Sequence, residues 1–173
     1  MMVKCIMPEL KTLSDKQLKA WIANYRNSGV NAGGNFSLAE LLIEQGLRID
    51  VGHDPRKIID VICTISRHSE DGLTSYKAIW EEFYPGEKFI GNGSQKRVGK
   101  ILGVAAAFCA SNGFPALTTL VVPHTSRKAT DLAIENIYNA WIEFGQDVEG
   151  LNSRAFYEKQ LQKSKEFAQR YNG

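Results

Sequence analysis

Between Lys88 and Thr130 the chain has no Asp or Glu at all, while the same stretch holds six Lys or Arg residues. Over the whole chain 21 basic residues nearly balance 19 acidic ones, a formal net charge of +2, so only this local asymmetry could draw in a polyanion. Cysteine is also scarce: Cys5, Cys63 and Cys109 stand far apart with no CxxC pair. Such an odd, scattered set suits a reducing compartment better than a secreted disulfide framework, and Cys63 and Cys109, inside apolar helical runs, read as small core residues. No run of roughly eighteen uncharged apolar residues occurs, which removes a membrane-spanning helix, and the region around Lys4 lacks a sustained apolar stretch. A cytoplasmic protein without a membrane partner is expected.

Further absences narrow the chemistry. His53, His68 and His124 have no HxH, HxxxH or cysteine company, so no metal site is expected. Gly91-Asn-Gly-Ser-Gln-Lys-Arg97 contains neither the GK[ST] of a phosphate-binding loop nor a βαβ context, and no cofactor is expected. Glu81 and Glu82 are adjacent, so they point different ways on a helix and read as solvated surface rather than an acid–base pair.

What is present is the composition of an ordinary globular protein. The chain has 173 residues, 43% hydrophobic and 23% charged, enough for one domain with a helical appendage. Ser14-Asp-Lys-Gln17 has capping-box spacing ahead of Leu18, Trp21, Ile22 and Tyr25, and Asn27-Ser-Gly and Asn31-Ala-Gly-Gly-Asn35 break that helix. Ser37-Leu-Ala-Glu40 opens a second helix with Leu38, Leu41 and Leu42, which Gly46 is expected to stop. Together they make an N-terminal helical hairpin over residues 1–50.

Asp54-Pro55 starts a third helix with Ile58, Ile59, Ile62 and Ile65 on one face. Leu73-Thr74 reads as a short strand, and Thr74 or Ser75 can cap a helix carrying Tyr76, Ile79, Trp80 and Phe83 that ends at Pro85-Gly86. Residues 91–94 read as a flexible linker, with Ser94 capping a helix whose inner stripe is Val98, Ile101, Leu102, Ala105 and Phe108 and whose end is Gly113. The β-branched run over 117–122, bounded by Pro115 and Pro123, is the strongest strand signal. After a loop over 124–128, Ile134, Ile137, Tyr138, Trp141 and Ile142 mark one more helix, and Phe156, Leu161, Phe167, Ala168 and Tyr171 mark the last, from about Ser153. Trp21, Trp80 and Trp141 fall on separate apolar stripes and read as core.

The expected fold is therefore mainly α with a small β component. The order helix, short strand, helix, loop, helix, strand, basic loop over 54–130 is that of a winged helix-turn-helix core, preceded by the hairpin and followed by a C-terminal helical extension over 131–173 packed on the core. In such an arrangement the helix after residue 93 is the one that enters a groove. Ser94, Gln95, Lys96, Arg97 and Lys100 stand at its start, with Gln95 and Arg97 able to reach base edges, and His124, Arg127 and Lys128 take the wing position. After Thr130 the charge changes sign: Asp131, Glu135, Glu143, Asp147, Glu149, Glu158 and Glu166 outnumber the basic residues, so the C-terminal part is not a basic tail.

Two segments carry a resemblance. Gly72-Leu-Thr-Ser-Tyr-Lys-Ala-Ile79, followed by Gln95-Lys-Arg-Val-Gly-Lys-Ile-Leu102, resembles the DNA-binding half of the alkylguanine-DNA alkyltransferases and alkyltransferase-like proteins. The resemblance implies a winged-helix fold, a tyrosine that disturbs the phosphate of a flipped nucleotide at Tyr76, and the residue that fills the vacated stack at Lys96, with Arg97 one place later. The family has arginine where this chain has Lys96, which alters the stacking chemistry. Where the family has its Pro-Cys-His-Arg-Val acceptor segment this chain has Pro115-Ala-Leu-Thr-Thr-Leu-Val121, with no nucleophile and no activating histidine. Cys109 lies in a helix before that segment and does not replace it. The matching motifs span about 50 of the 173 residues, so they speak to fold more than to activity. The full-length pattern also looks like uncharacterised bacterial and prophage proteins with an N-terminal helical hairpin.

These readings converge on a non-catalytic protein of bacterial or phage origin that binds duplex DNA in a regulatory, repair-sensing or defence-related role, through Tyr76, Ser94, Gln95, Lys96, Arg97, Lys100, His124, Arg127 and Lys128. Two alternatives are a protein–protein interaction module, such as a phage-encoded inhibitor that engages a protein partner, and an alkyltransferase-type enzyme using Cys109.

Overall fold

A computed structural model describes residues 10–29, 36–50 and 52–172. Lys4, Cys5 and the helix break expected at 31–35 lie outside the described residues. Local side-chain chemistry accounts for where most helices begin. Helix α1 (Asp15–Ser28) and α2 (Leu38–Gln45) each open on a capping box. The Ser14 hydroxyl accepts the Gln17 N–H at 3.3 Å while the Gln17 side chain accepts the Ser14 N–H at 2.9 Å, and Ser37 and Glu40 repeat the pattern at 3.2 and 2.7 Å. Asp54 accepts the Arg56 N–H at 2.8 Å ahead of α3 (Pro55–His68), with Pro55 in the first turn, where no intrahelical donor is needed. Ser75, Thr130 and Asn152 cap α4 (Tyr76–Phe83), α6 (Asp131–Glu143) and α7 (Ser153–Arg170) in the same way. Helix α5 (Gly91–Asn112) is the exception, because its N-cap is Ile90 and no side chain caps it.

The central core gathers α3, α4, α5, α7 and residues 117–122. Ile58, Ile59, Ile62, Ile79, Ile101 and Leu117 are fully buried there. Two short strands, β1 (Thr74–Ser75) and β2 (Val121–Val122), pair in parallel within it, Thr74 opposite Val121 and Ser75 opposite Val122. The hairpin of α1 and α2 has its own apolar cluster of Leu13, Leu18, Ile22, Tyr25, Leu38 and Leu41. It docks onto the core through α2 against α5, and the Arg26–Glu143 ion pair at 2.9 Å ties α1 to α6. The fold is mainly helical with a small β component, and no helix among the described residues is long and apolar enough to cross a membrane.

Several local expectations are corrected. Helix α2 ends at Gln45 with Gly46 as its C-cap, but without the left-handed turn glycine usually supplies there: its φ of −58° is helical, and the chain runs on as a π-turn over Gly46–Asp50. Glycine stands there because a Cβ would come within 2.2 Å of Val104 Cγ2 on α5. Residues 91–94 are not a linker but the first turn of α5, and Ser94 is not its cap. Residues 117–122 are strand only at Val121–Val122, whereas Leu117–Leu120 form a 3₁₀ turn. Side chains of α7 take the place of a strand partner: Gln160 accepts the Ala116 N–H at 2.9 Å and the Tyr157 hydroxyl donates to the Thr119 carbonyl at 3.1 Å. The first short strand is Thr74–Ser75 rather than Leu73-Thr74. Ile142, placed on the inner stripe of α6 by periodicity, is 45% exposed.

Candidate functional site

The basic residues singled out by the acid-free stretch divide into two groups. Arg97 is taken up locally. Its guanidinium lies 3.7 Å from the ring centroid of Tyr84 and 4.9 Å from that of Trp80, and it pairs with Glu87 at 3.0 Å. The Trp80 indole N–H donates to the Glu87 carbonyl at 2.8 Å, which fixes the segment that carries the carboxylate. Arg127 is also held. It grips Asp71 through two contacts of 2.6 and 2.9 Å and donates to Ser69 Oγ at 3.2 Å and to the Leu73 carbonyl at 3.0 Å. The Arg127 hydrogen bonds hold the Asp71 carboxyl far below the usual carboxylate range. Arg127 adopts a left-handed φ of 51°, so the backbone is bent to serve this grip. The loop after β2 is thereby stapled to the turn before β1.

Ser94 is buried, and its hydroxyl folds back on the chain, accepting the Ile90 N–H at 3.0 Å and donating to the Ile90 carbonyl at 3.1 Å. Gln95, Lys96 and Lys100 are exposed on α5, and His124 and Lys128 are exposed on the loop before α6. Lys96, Gly99, Lys100 and Gly103 follow at helical spacing, so they share one face of α5. A Cβ placed on Gly99 or Gly103 would meet nothing within 4 Å, so the backbone of this face is bare. The first turn of α5 carries no acidic residue and no capping side chain, so no side-chain acceptor takes up its free amides.

Tyr76, the first residue of α4, is half-buried and lines a cleft of about 320 Å³ between α5 and α6. Burial pushes its hydroxyl above the ordinary tyrosine value. Gly99, Leu102 and Gly103 of α5, Thr118, and Leu132 and Ile137 of α6 line the same cleft. Sequence periodicity had no means of finding it, although the four-residue spacing of Gly99 and Gly103 was visible and Leu132, 71% exposed, stands at its edge.

Cys63 and Cys109 are fully buried, and burial pushes each thiol up to about 12, so neither carries thiolate character near neutral pH. Among the described residues no cluster of His, Cys, Asp or Glu has the arrangement to hold a metal ion. Trp80 and Trp141 are buried in the core and Trp21 is half-buried in the hairpin. No family model, no curated protein and no solved structure matches this chain.

Proposed function

We propose that the chain is a non-catalytic duplex-DNA-binding protein in which α4 and α5 act as a helix-turn-helix pair and α5 is the helix presented to the groove. The supporting observation is the outward face of α5: an uncapped, acid-free N-terminus, then exposed Gln95, Lys96 and Lys100 on either side of the bare backbone at Gly99. A phosphate backbone can approach a helix closely where no Cβ intervenes, and Lys96, one turn before the gap, supplies counter-charge. The loop over 123–130 stands in for a wing, with His124 and Lys128 outward and Arg127 anchoring it from within. In this reading Arg97 and Arg127 position the surface, and Gln95, Lys96, Lys100, His124 and Lys128 meet the nucleic acid.

The test is salt-dependent fluorescence anisotropy with a labelled duplex. Each phosphate neutralised contributes about 0.9 to the slope of log affinity against log salt, so Lys96 and Lys128 alone imply about a twelvefold loss of affinity between 50 and 200 mM salt. Lys96→Ala and Lys128→Ala should each flatten the slope by about 0.9. Affinity that ignores salt, or binding to no duplex, defeats the proposal. A second reading, a docking module for a protein partner, draws on the exposed apolar side chains Ile90 and Leu132. One stoichiometric protein retained after nuclease treatment, with no duplex binding, would favour it.

A further inference from the structure

The cleft between α5 and α6 has the features of a ligand site rather than of a packing gap. Its floor is open because α5 presents Gly99 and Gly103 to it, and a single larger side chain at either position would have filled the space, since a Cβ there meets nothing. Its volume of about 320 Å³ is that of roughly ten waters and lies at the lower end of small-molecule pockets. No charged residue lines it. Leu102, Leu132 and Ile137 supply apolar wall, and Leu132 leaves most of its surface to solvent when the cleft is empty.

Polar groups mark where a ligand would be oriented. Thr118 is only 6% exposed and faces the cleft, yet its hydroxyl has no hydrogen-bond partner among the described residues. The buried Thr119 hydroxyl donates to Ser164 at 3.2 Å, whereas the buried Thr74 hydroxyl has no partner among the described residues. The half-buried Tyr76 and the exposed Asn136 bring a hydroxyl and an amide to the same cleft. Thr74 Oγ1 alone is both sealed from solvent and unpaired among the described residues, so the Thr118 hydroxyl stays accessible to a ligand hydroxyl or carbonyl in the cleft.

We infer that the cleft binds a small, uncharged, largely apolar molecule of single-ring size that carries one hydroxyl or carbonyl group, with the ring against Leu102 and Ile137 over the Gly99–Gly103 face and the polar group on Thr118 and Tyr76. A charged analogue is rejected because nothing in the lining compensates its desolvation. The site goes beyond the duplex proposal but shares Gly99 with it, and its test uses no nucleic acid.

Methyl-detected NMR titration of the full chain with phenol, toluene and benzoate tests this. Phenol should shift the Leu102, Leu132 and Ile137 methyl signals saturably, toluene more weakly, and benzoate at least about tenfold more weakly than phenol. Thr118→Val should weaken phenol about three- to tenfold and leave toluene unchanged. Gly103→Leu should abolish both while keeping or raising the melting temperature, because leucine is a better helix former than glycine and fills open space. Absence of saturation up to the solubility limit of phenol, equal binding of benzoate, or undiminished binding in folded Gly103→Leu overturns the inference.

Discussion

Replacing Gly46 by alanine tests how the hairpin is set against α5. Gly46 has a helical φ of −58°, and at such a position alanine ordinarily stabilises by about 1 kcal/mol. Here the new Cβ would stand 2.2 Å from Val104 Cγ2, with Val104 buried and, as a β-branched helical residue, confined to essentially one rotamer. Overpacking of that kind costs up to about 3 kcal/mol, so Gly46→Ala should be destabilising by about 2 kcal/mol net. Val104→Ala alone should cost about 2 kcal/mol for two lost methyl groups and the space they leave. In that background the clash vanishes, because the next contact, to the Val104 Cβ, is an ordinary 3.5 Å. Gly46→Ala should then stabilise by about 1 kcal/mol, a coupling of about 3 kcal/mol between the two sites. Urea unfolding followed by tryptophan fluorescence reads the four midpoints at constant slope, Trp80 and Trp141 being buried reporters. If Gly46→Ala stabilises in both backgrounds, α2 does not approach α5 as closely as drawn and the reasoning fails.

Four other outcomes follow from particular contacts. Because the Asp71 carboxyl is held below its ordinary value of 3.8, the stability it contributes is complete above that value and is lost as pH falls further; Asp71→Asn should lower the melting temperature at pH 7 and converge with wild type in strong acid, and a constant difference would refute the staple. In Cys5→Ser protein a thiol reagent should find nothing to modify until denaturant is added, when Cys63 and Cys109 react together; rapid native modification would contradict their burial. Gln160→Ala strands the Ala116 N–H and should cost about 1–3 kcal/mol in urea unfolding, whereas the exposed Gln162→Ala should cost little. Glu87→Gln removes the carboxylate from Arg97 and, if α5 meets DNA, should steepen the salt slope by up to about 0.9; an unchanged slope would mean the aromatic rings alone keep Arg97 away.

Helix positions were legible wherever one side chain does the capping. Ser14, Ser37, Asp54 and Ser75 each sit where their spacing to the first apolar residue demands, and the structure starts a helix behind every one. The rule failed at Ser94 because a serine can also bond back to a carbonyl and amide four residues earlier, and a buried position favours that inward use. It failed over 117–122 for a related reason. A β-branched run states a preference for extended backbone only when another strand is there to receive its amides, and here Gln160 and Tyr157 of α7 satisfy the nearby backbone groups from about forty residues away.

The charge asymmetry was legible in the sequence, but not which basic residues the fold leaves outward. Counting charges along the chain marked 88–130 correctly as free of acid, but carboxylates need not come from within the stretch they neutralise. Glu87 lies one residue outside that window and closes on Arg97 across the turn before α5; Asp71 comes from 56 residues away and closes on Arg127. Arg97 and Arg127 are held through planar guanidinium forks that suit a fixed carboxylate or an aromatic face, while exposed Lys96 and Lys128 have no such geometry to satisfy. If this surface meets a phosphate chain as proposed, rigid structure-building contacts go to the guanidinium groups, and the outward lysines keep compact, well-hydrated charges able to exchange counterions for phosphate. Substitution should separate the two roles. Lys96→Arg should preserve salt-dependent binding because the position asks only for charge, whereas Arg127→Lys, which cannot span both Asp71 oxygens and the Leu73 carbonyl at once, should loosen the loop and lower stability even though the charge is unchanged.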